Sequence, residues 1–260
     1  MSMRPILEMT DAQIRGLRYL LCDIDDTITR NGKLPAASYA ALWRLQEAGI
    51  DVIPVTGRPA GWCDLIVRQW PVRAVVGENG AFVYYTEAGK IRTFTHPAVR
   101  PDARDRLREI LAAAMAAVPG CREARDQFAR LYDLAIDFRE DPPYLSLAEA
   151  EKIRTVCCEM GAVAKISSIH VNAWFGDYDK VTTTELFFRE ILCEPDFADT
   201  AVFFGDSPND EPMFRRFPLS CGVANIRPFA DRMACLPAFV TERESADGFA
   251  DAAAYILSRR

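Results

Sequence analysis

The chain has 260 residues and a formal charge of −6, with 50% of its residues apolar and 26% charged. This is the composition of a folded globular protein with a sizeable core, and the acidic balance argues against nucleic acid as the main partner. No stretch reaches the roughly 18 apolar residues of a membrane span, and Met1-Ser2-Met3-Arg4-Pro5 lacks the apolar centre of a secretory signal.

The first strong signal is the run Leu17 to Cys22, apolar except for Arg18, which reads as a buried strand. It delivers Asp23 and Asp25 at i and i+2, with Thr27 behind them. Two acids at a strand end repel each other unless a cation or a reaction needs them. The pattern therefore suggests a metal-assisted nucleophilic carboxylate beside a proton donor, while a plain polar turn accounts for the same residues locally.

Pro35 to Ala48 predicts a helix, started by Pro35 and stopped by Gly49. Ile50 to Val55 predicts a second strand, ending in Thr56-Gly57-Arg58-Pro59. A helix over Pro59 to Trp70 and a strand over Val72 to Val76 follow, and then a hairpin from Ala81 to Phe94 after Gly77-Glu78-Asn79-Gly80.

The next stretch differs in character. It predicts a helix from Pro101 to Val118, an alternating strand from Phe128 to Phe138, a helix from Leu147 to Met160 and one long alternating strand from Ala162 to Trp174. Alternation predicts an antiparallel sheet with one solvated face. Lys180 then precedes an apolar helix, Val181 to Leu192. Thr200 to Phe204 predicts a strand leading into Gly205-Asp206-Ser207-Pro208-Asn209-Asp210. Two short strands (Leu219 to Ala224, Phe239 to Thr241) and a helix from Ser245 to Leu257 complete the chain. Alternating strands and helices predict an α/β fold, a Rossmann-like parallel sheet core with an inserted α+β cap domain. Residues 1–84 and 177–260 are expected to form the core, and 85–176 the insert.

Eight cysteines occur without a Cys-x-x-Cys pair, and the two histidines offer no zinc-site spacing. Free thiols in a reducing compartment explain this better than disulfides, and a cytoplasmic location is expected. Cys22 reads as a small core residue beside Asp23.

In a parallel sheet the clusters around Asp23 and Asp25, Thr56 and Gly57, Lys180, and Asp206 to Asp210 converge at the carboxyl edge, where ligand crevices form. Carboxylates bind Mg²⁺, which shares its shell with phosphate, and a lysine and a hydroxyl hold phosphoryl oxygens. In this order, Asp23-Ile24-Asp25-Asp26-Thr27, Thr56-Gly57-Arg58, Lys180 and Gly205-Asp206-Ser207-Pro208-Asn209-Asp210 resemble the motifs of the haloacid dehalogenase-like phosphohydrolases. Gly77-Glu78-Asn79-Gly80-Ala81 is similar to the loop that opens the type II cap of their sugar-phosphate phosphatases, a group that includes mannosyl-3-phosphoglycerate phosphatases.

The resemblance implies an Mg²⁺-dependent phosphomonoester hydrolase acting on a small phosphorylated metabolite, a sugar phosphate, through an aspartyl-phosphate. It implies Asp23 as nucleophile and Asp25 as acid and base, with Thr56, Gly57, Lys180 and Asn209 holding phosphate. It places the metal on Asp23, Asp25 (through its carbonyl), Asp206 and Asp210. A phosphohexomutase of the same superfamily is the enzymatic alternative, and a phospho-accepting signalling module is the alternative from another class.

The insert carries seven arginines between 100 and 130, which suit an anionic substrate. Interleaved acids suit a solvated, ion-paired helix equally. Arg58 reads as a salt bridge or a substrate contact. His170, Asn172 and Trp174 share a strand face that either reaches a sugar or packs. The partner is a small molecule, with neither nucleic acid nor membrane, and a homo-oligomer is compatible with the sequence.

Overall fold

The computed structural model describes residues 3–260; Met1 and Ser2, part of the segment read as lacking a leader, lie outside the described residues. Six strands form a parallel sheet in the order Arg4–Pro5, Phe239–Val240, Leu219–Gly222, Ala201–Gly205, Tyr19–Cys22 and Asp51–Pro54. Because side chains alternate along a strand, the sheet buries a layer on each face. Leu20, Cys22, Val202 and Phe204 pack under the helices Ala36–Glu47, Ala60–Gln69 and Ser245–Ser258. Tyr19, Leu21, Ala201 and Phe203 pack on the other side with Phe187, Phe188 and Phe214. Pro35 stands just before its helix, and Gly49 follows the end with φ +76°, a conformation that favours glycine.

The sheet continues through a parallel bridge, Val55 to Val76, into the antiparallel set Ala74–Gly77, Phe82–Glu87 and Lys90–Thr95. Tyr85 and Phe94 of this hairpin lie against Phe187 of the core layer, with ring centroids at 5.4 and 6.4 Å. The boundary expected at residue 85 therefore falls inside a hairpin that packs with the core.

A separate four-stranded antiparallel sheet runs Arg122–Glu123, Leu134–Asp137, His170–Trp174 and Val163–Ile166. Leu134, Ile136, Val171 and Ala173 on one face pack with Leu107, Ile110, Ile153 and Cys157 of the helices Arg104–Ala117 and Leu147–Glu159. The opposite face carries Asp137, His170, Asn172 and Lys165.

Two expected strands are shorter here, for identifiable reasons. Phe128 to Phe138 pairs only over Leu134–Asp137, because the backbone N–H groups of Leu131, Tyr132 and Asp133 all donate to the Glu78 carboxylate instead of a strand neighbour. Ala162 to Trp174 is a hairpin rather than one strand. The Ser167 hydroxyl accepts from the His170 N–H at 3.0 Å and donates to its carbonyl at 3.1 Å, which closes the turn. Among the described residues no helix is long and apolar enough to cross a membrane.

Candidate active site

The strand Tyr19–Cys22 ends at the centre of the sheet, between Ala201–Gly205 and Asp51–Pro54, and so carries Asp23 to the middle of the carboxyl edge. Ala201–Gly205 beside it delivers Asp206 and, through one turn, Asp210. Gly205 is required there by close approach: a Cβ on it would stand 2.6 Å from Asp210 Oδ2. Lys180 reaches the same point from the first turn of the helix Lys180–Glu190, whose N-cap Asp179 forms a capping box with Thr182.

Lys180 Nζ donates to Asp23 Oδ1 at 2.7 Å and to Asp210 Oδ1 at 3.0 Å. Asp210 Oδ2 accepts the Asp206 N–H at 3.1 Å, and Asp206 Oδ1 accepts from the Thr27 hydroxyl at 3.4 Å. Asp23, Asp206 and Asp210 bring one carboxylate oxygen each within 4.8 Å of one another, and all three residues are buried. Burial pushes the Asp23 carboxyl up to about 7, with Lys180 pulling against it, and burial with Asp210 pushes Asp206 well above the usual range. Three carboxylates held beside one lysine cation leave negative charge uncompensated out of water, which is costly. The oxygen-only donor set fits a hard divalent cation such as Mg²⁺.

Asp25 is turned differently. Both of its oxygens accept from Arg58, from Nε at 2.8 Å and from Nη2 at 2.9 Å. Arg58 is buried, lies over the Trp62 ring at 4.3 Å and also reaches the insert, with Nη1 at 3.3 Å from Asp126 and 3.2 Å from Glu140. Burial disfavours its charge, but Asp25, Glu140 and Asp126 more than offset that and hold it above the ordinary arginine range. Glu140 in turn pairs with His170 Nε2 at 2.8 Å. That contact, with Arg58, holds its carboxyl down to about 2.

Of the residues singled out in the sequence, Asp23, Asp25, Gly57, Asp206 and Asn209 line one small cavity of about 30 Å³. Lys180 and Asp210 lie beside it through their bonds to Asp23 and Asp206. Thr56 is buried, and its hydroxyl oxygen accepts the Arg58 backbone N–H at 3.0 Å, so it stands behind the cavity wall. The insert closes the cavity with Ser167, Ser168, Ile169, His170 and Asn172. About 30 Å³ has room for little more than a water molecule.

Sequence reasoning missed the seam beneath the insert. Glu78 accepts four backbone N–H groups, from Ala60 and Leu131 on Oε1 (3.0 and 2.8 Å) and from Tyr132 and Asp133 on Oε2 (2.7 and 3.2 Å). Arg130 Nη1 bonds Asp133 at 2.9 Å and the Gly57 carbonyl at 2.9 Å. Glu78 and Asn79 have φ of +44° and +57°, a strained conformation for these residues that the network holds in place. Asn225 was also missed: its Nδ2 donates to the Asp26 carbonyl at 3.1 Å and to Asp206 at 3.3 Å. The available signal was an amide following the strand Leu219–Gly222 at the same sheet edge.

Residues 20–111 match the sequence family of haloacid dehalogenase-like hydrolases. The chain is 28% identical over 247 residues to a phosphoglycolate phosphatase of Pyrobaculum aerophilum, covering 93% of this chain and 96% of that one. Its fold is similar to the C-terminal domain of the C. albicans trehalose-6-phosphate phosphatase, with a TM-score of 0.73, 14% identity, and 99% and 98% of the two chains covered. It is also similar to a Thermoplasma acidophilum protein, with a TM-score of 0.70, 16% identity, and 92% and 98% covered. With the parallel sheet, the inserted α+β unit and the acidic cluster at the carboxyl edge, the chain is similar in sequence to haloacid dehalogenase-like hydrolases and to a phosphatase, and similar in fold to these solved structures.

Proposed function

We propose that this phosphatase hydrolyses a small phosphorylated metabolite in an Mg²⁺-dependent reaction, with Asp23 as the nucleophile. The observation that carries the reading is the buried cluster in which Lys180 bridges Asp23 and Asp210 beside Asp206. Lys180 takes Asp23 Oδ1, leaving Oδ2 to attack phosphorus in line and form an aspartyl-phosphate. Asp23, Asp206 and Asp210, with the backbone carbonyl of Asp25, would hold the metal. When bound, it supplies a Lewis acid that offsets the repulsion between a carboxylate and a phosphate dianion.

Asp25 serves as acid and then base. Because both its oxygens accept from Arg58 in the closed arrangement, delivery of a proton to the leaving oxygen requires release of one of these bonds. Gly57, Asn209 and Lys180 hold phosphoryl oxygens, and Thr56 keeps the turn that presents Gly57. The insert, taken from after Thr95 to Gly176, closes over the leaving group and sets specificity. The substrate class favoured by the type of insert is a sugar phosphate. The relative from Pyrobaculum aerophilum points to an acid phosphate such as phosphoglycolate.

The test is phosphate release from a panel of sugar and acid phosphates, with Mg²⁺ and with EDTA, for the wild type and Asp23→Asn. Metal-dependent release that disappears in the variant supports the reading. Release that survives EDTA or the substitution overturns it.

A further inference from the structure

The cations around the site are almost all matched by carboxylates. Arg58 faces Asp25, Asp126 and Glu140; Arg130 faces Asp126 and Asp133; Lys180 faces Asp23 and Asp210; Arg122 faces Asp137. Most of the insert's other arginines are paired on its surface, as Arg100 with Asp102, Arg108 with Asp105 and Arg125 with Asp141. The interleaved acids thus account for these arginines without any substrate.

Lys165 differs from all of these. It pairs in register with Asn172 across the hairpin and so projects from the face of the insert sheet that looks at the core. It lines a cleft with Asn79, Lys180 and Asn209, and both asparagines also line the cavity that holds Asp23 and Asp25. Among the described residues Lys165 Nζ has no ion-pair partner. The acid that acts most strongly on it, Asp179, gives Oδ1 to the Thr182 N–H at 2.8 Å as a helix cap. Burial and the neighbouring Lys180 lower the Lys165 pKa, and Asp179 and Asp210 offset this only in part. A partly buried ammonium left without a counter-charge beside the substrate cavity is costly unless the ligand supplies one.

We propose that Lys165 is a specificity-determining residue that pairs with a second anionic group, a carboxylate, on the leaving-group side of the substrate. This rests on the phosphatase reading of the Asp23 site and narrows its substrate class: the alcohol released carries its own negative charge. The position suits that role, because the lysine stands on the insert while the phosphoryl machinery stands on the core. A charge at Lys165 is therefore read separately from the phosphate.

The experiment compares kcat/KM for phosphoglycolate and for 2-hydroxyethyl phosphate, its near-isostere without the carboxylate, in wild type, Lys165→Met and Lys165→Arg. The expected wild-type preference for the carboxylate is at least tenfold. Lys165→Met should remove most of that ratio, chiefly through KM, and Lys165→Arg should retain part of it. A fructose bisphosphate arm shows whether a second phosphate serves in place of the carboxylate; a preference for it over phosphoglycolate overturns the carboxylate assignment. A wild-type ratio near one, or an equal loss on both substrates in Lys165→Met with the ratio intact, overturns the role of Lys165 while leaving the phosphatase standing. No Mg²⁺-dependent release from any phosphomonoester, p-nitrophenyl phosphate included, overturns the reading of the site itself. Melting temperatures of both variants, measured alongside, separate a folding defect from a binding one.

Discussion

Asp23 and Glu78 are both buried carboxylates that follow strands at the same edge of the molecule, and their surroundings are opposite. Glu78 gives both oxygens to four backbone N–H groups, three of them from the insert. Asp23 accepts from Lys180 on one oxygen, and among the described residues nothing donates to the other. Burial raises both, each to about 7. In one case the protein supplies the compensating dipoles, and in the other it leaves them to be supplied by what binds. A buried acid with both oxygens taken by the protein's own donors is a fastener; one with a free oxygen beside a cavity is open to a ligand.

The largest effect that sharpens this contrast is on Asp23. Asp23→Asn should cut turnover by about 10⁴-fold or more, the usual result of deleting a nucleophile, with the far-UV spectrum unchanged. Residual turnover within tenfold of wild type would break the contrast. Glu78→Ala should leave four buried N–H groups without an acceptor and cost about 3 kcal/mol or more of stability, read as a shifted urea midpoint. If Glu78→Ala melts like the wild type, the seam is not a fastener.

Mg²⁺ should raise the stability of the wild type, by about 2.7 kcal/mol at a hundredfold excess over its dissociation constant, and Asp206→Asn should lose most of that increment. Equal stabilisation in wild type and variant would place the metal elsewhere. The smallest effect is at Glu140, held down to about 2 from its ordinary 4.5, first by His170 and then by Arg58. A lowered carboxylate contributes stability that is present above 4.5 and lost as pH falls from 4.5 through 2. Discounted for its partial exposure, the contribution is about 1 kcal/mol. Glu140→Gln should therefore cost about that much at pH 7 and nothing near pH 2, measured by thermal melts across that range.

The strand ends that bring these polar residues to one edge were legible because each motif is local. An apolar run followed by Asp23, Thr56 or Asp206 says where the chain leaves the sheet, and parallel topology brings such ends together. The seam was not legible because its partners are far apart in sequence: nothing near Glu78 announces that residues 131–133 will donate to it. The same bonds explain why Phe128 to Phe138 alternates like a strand and yet pairs over only four residues. The hairpin at Ser167 was hidden because no glycine or proline marks it; its one trace is the doublet Ser167-Ser168, where the apolar residues shift from even positions (Ala164, Ile166) to odd ones (Ile169, Val171, Ala173). Lys165 was hidden with it. In a strand read as continuous, one lysine is an ordinary solvated residue, and only the fold shows that its counter-charge is missing.

The turn Ser167-Ser168-Ile169 is closed by its own serine hydroxyl and sits at the tip of a sheet whose core layer packs on the far face. Its sequence can therefore drift at little cost to either core, while every change alters the roof over the cavity that Asp23 lines. A lineage carrying this fold can explore new ligands by exchanging a few residues at that tip, with the acidic cluster at the sheet edge inherited unchanged.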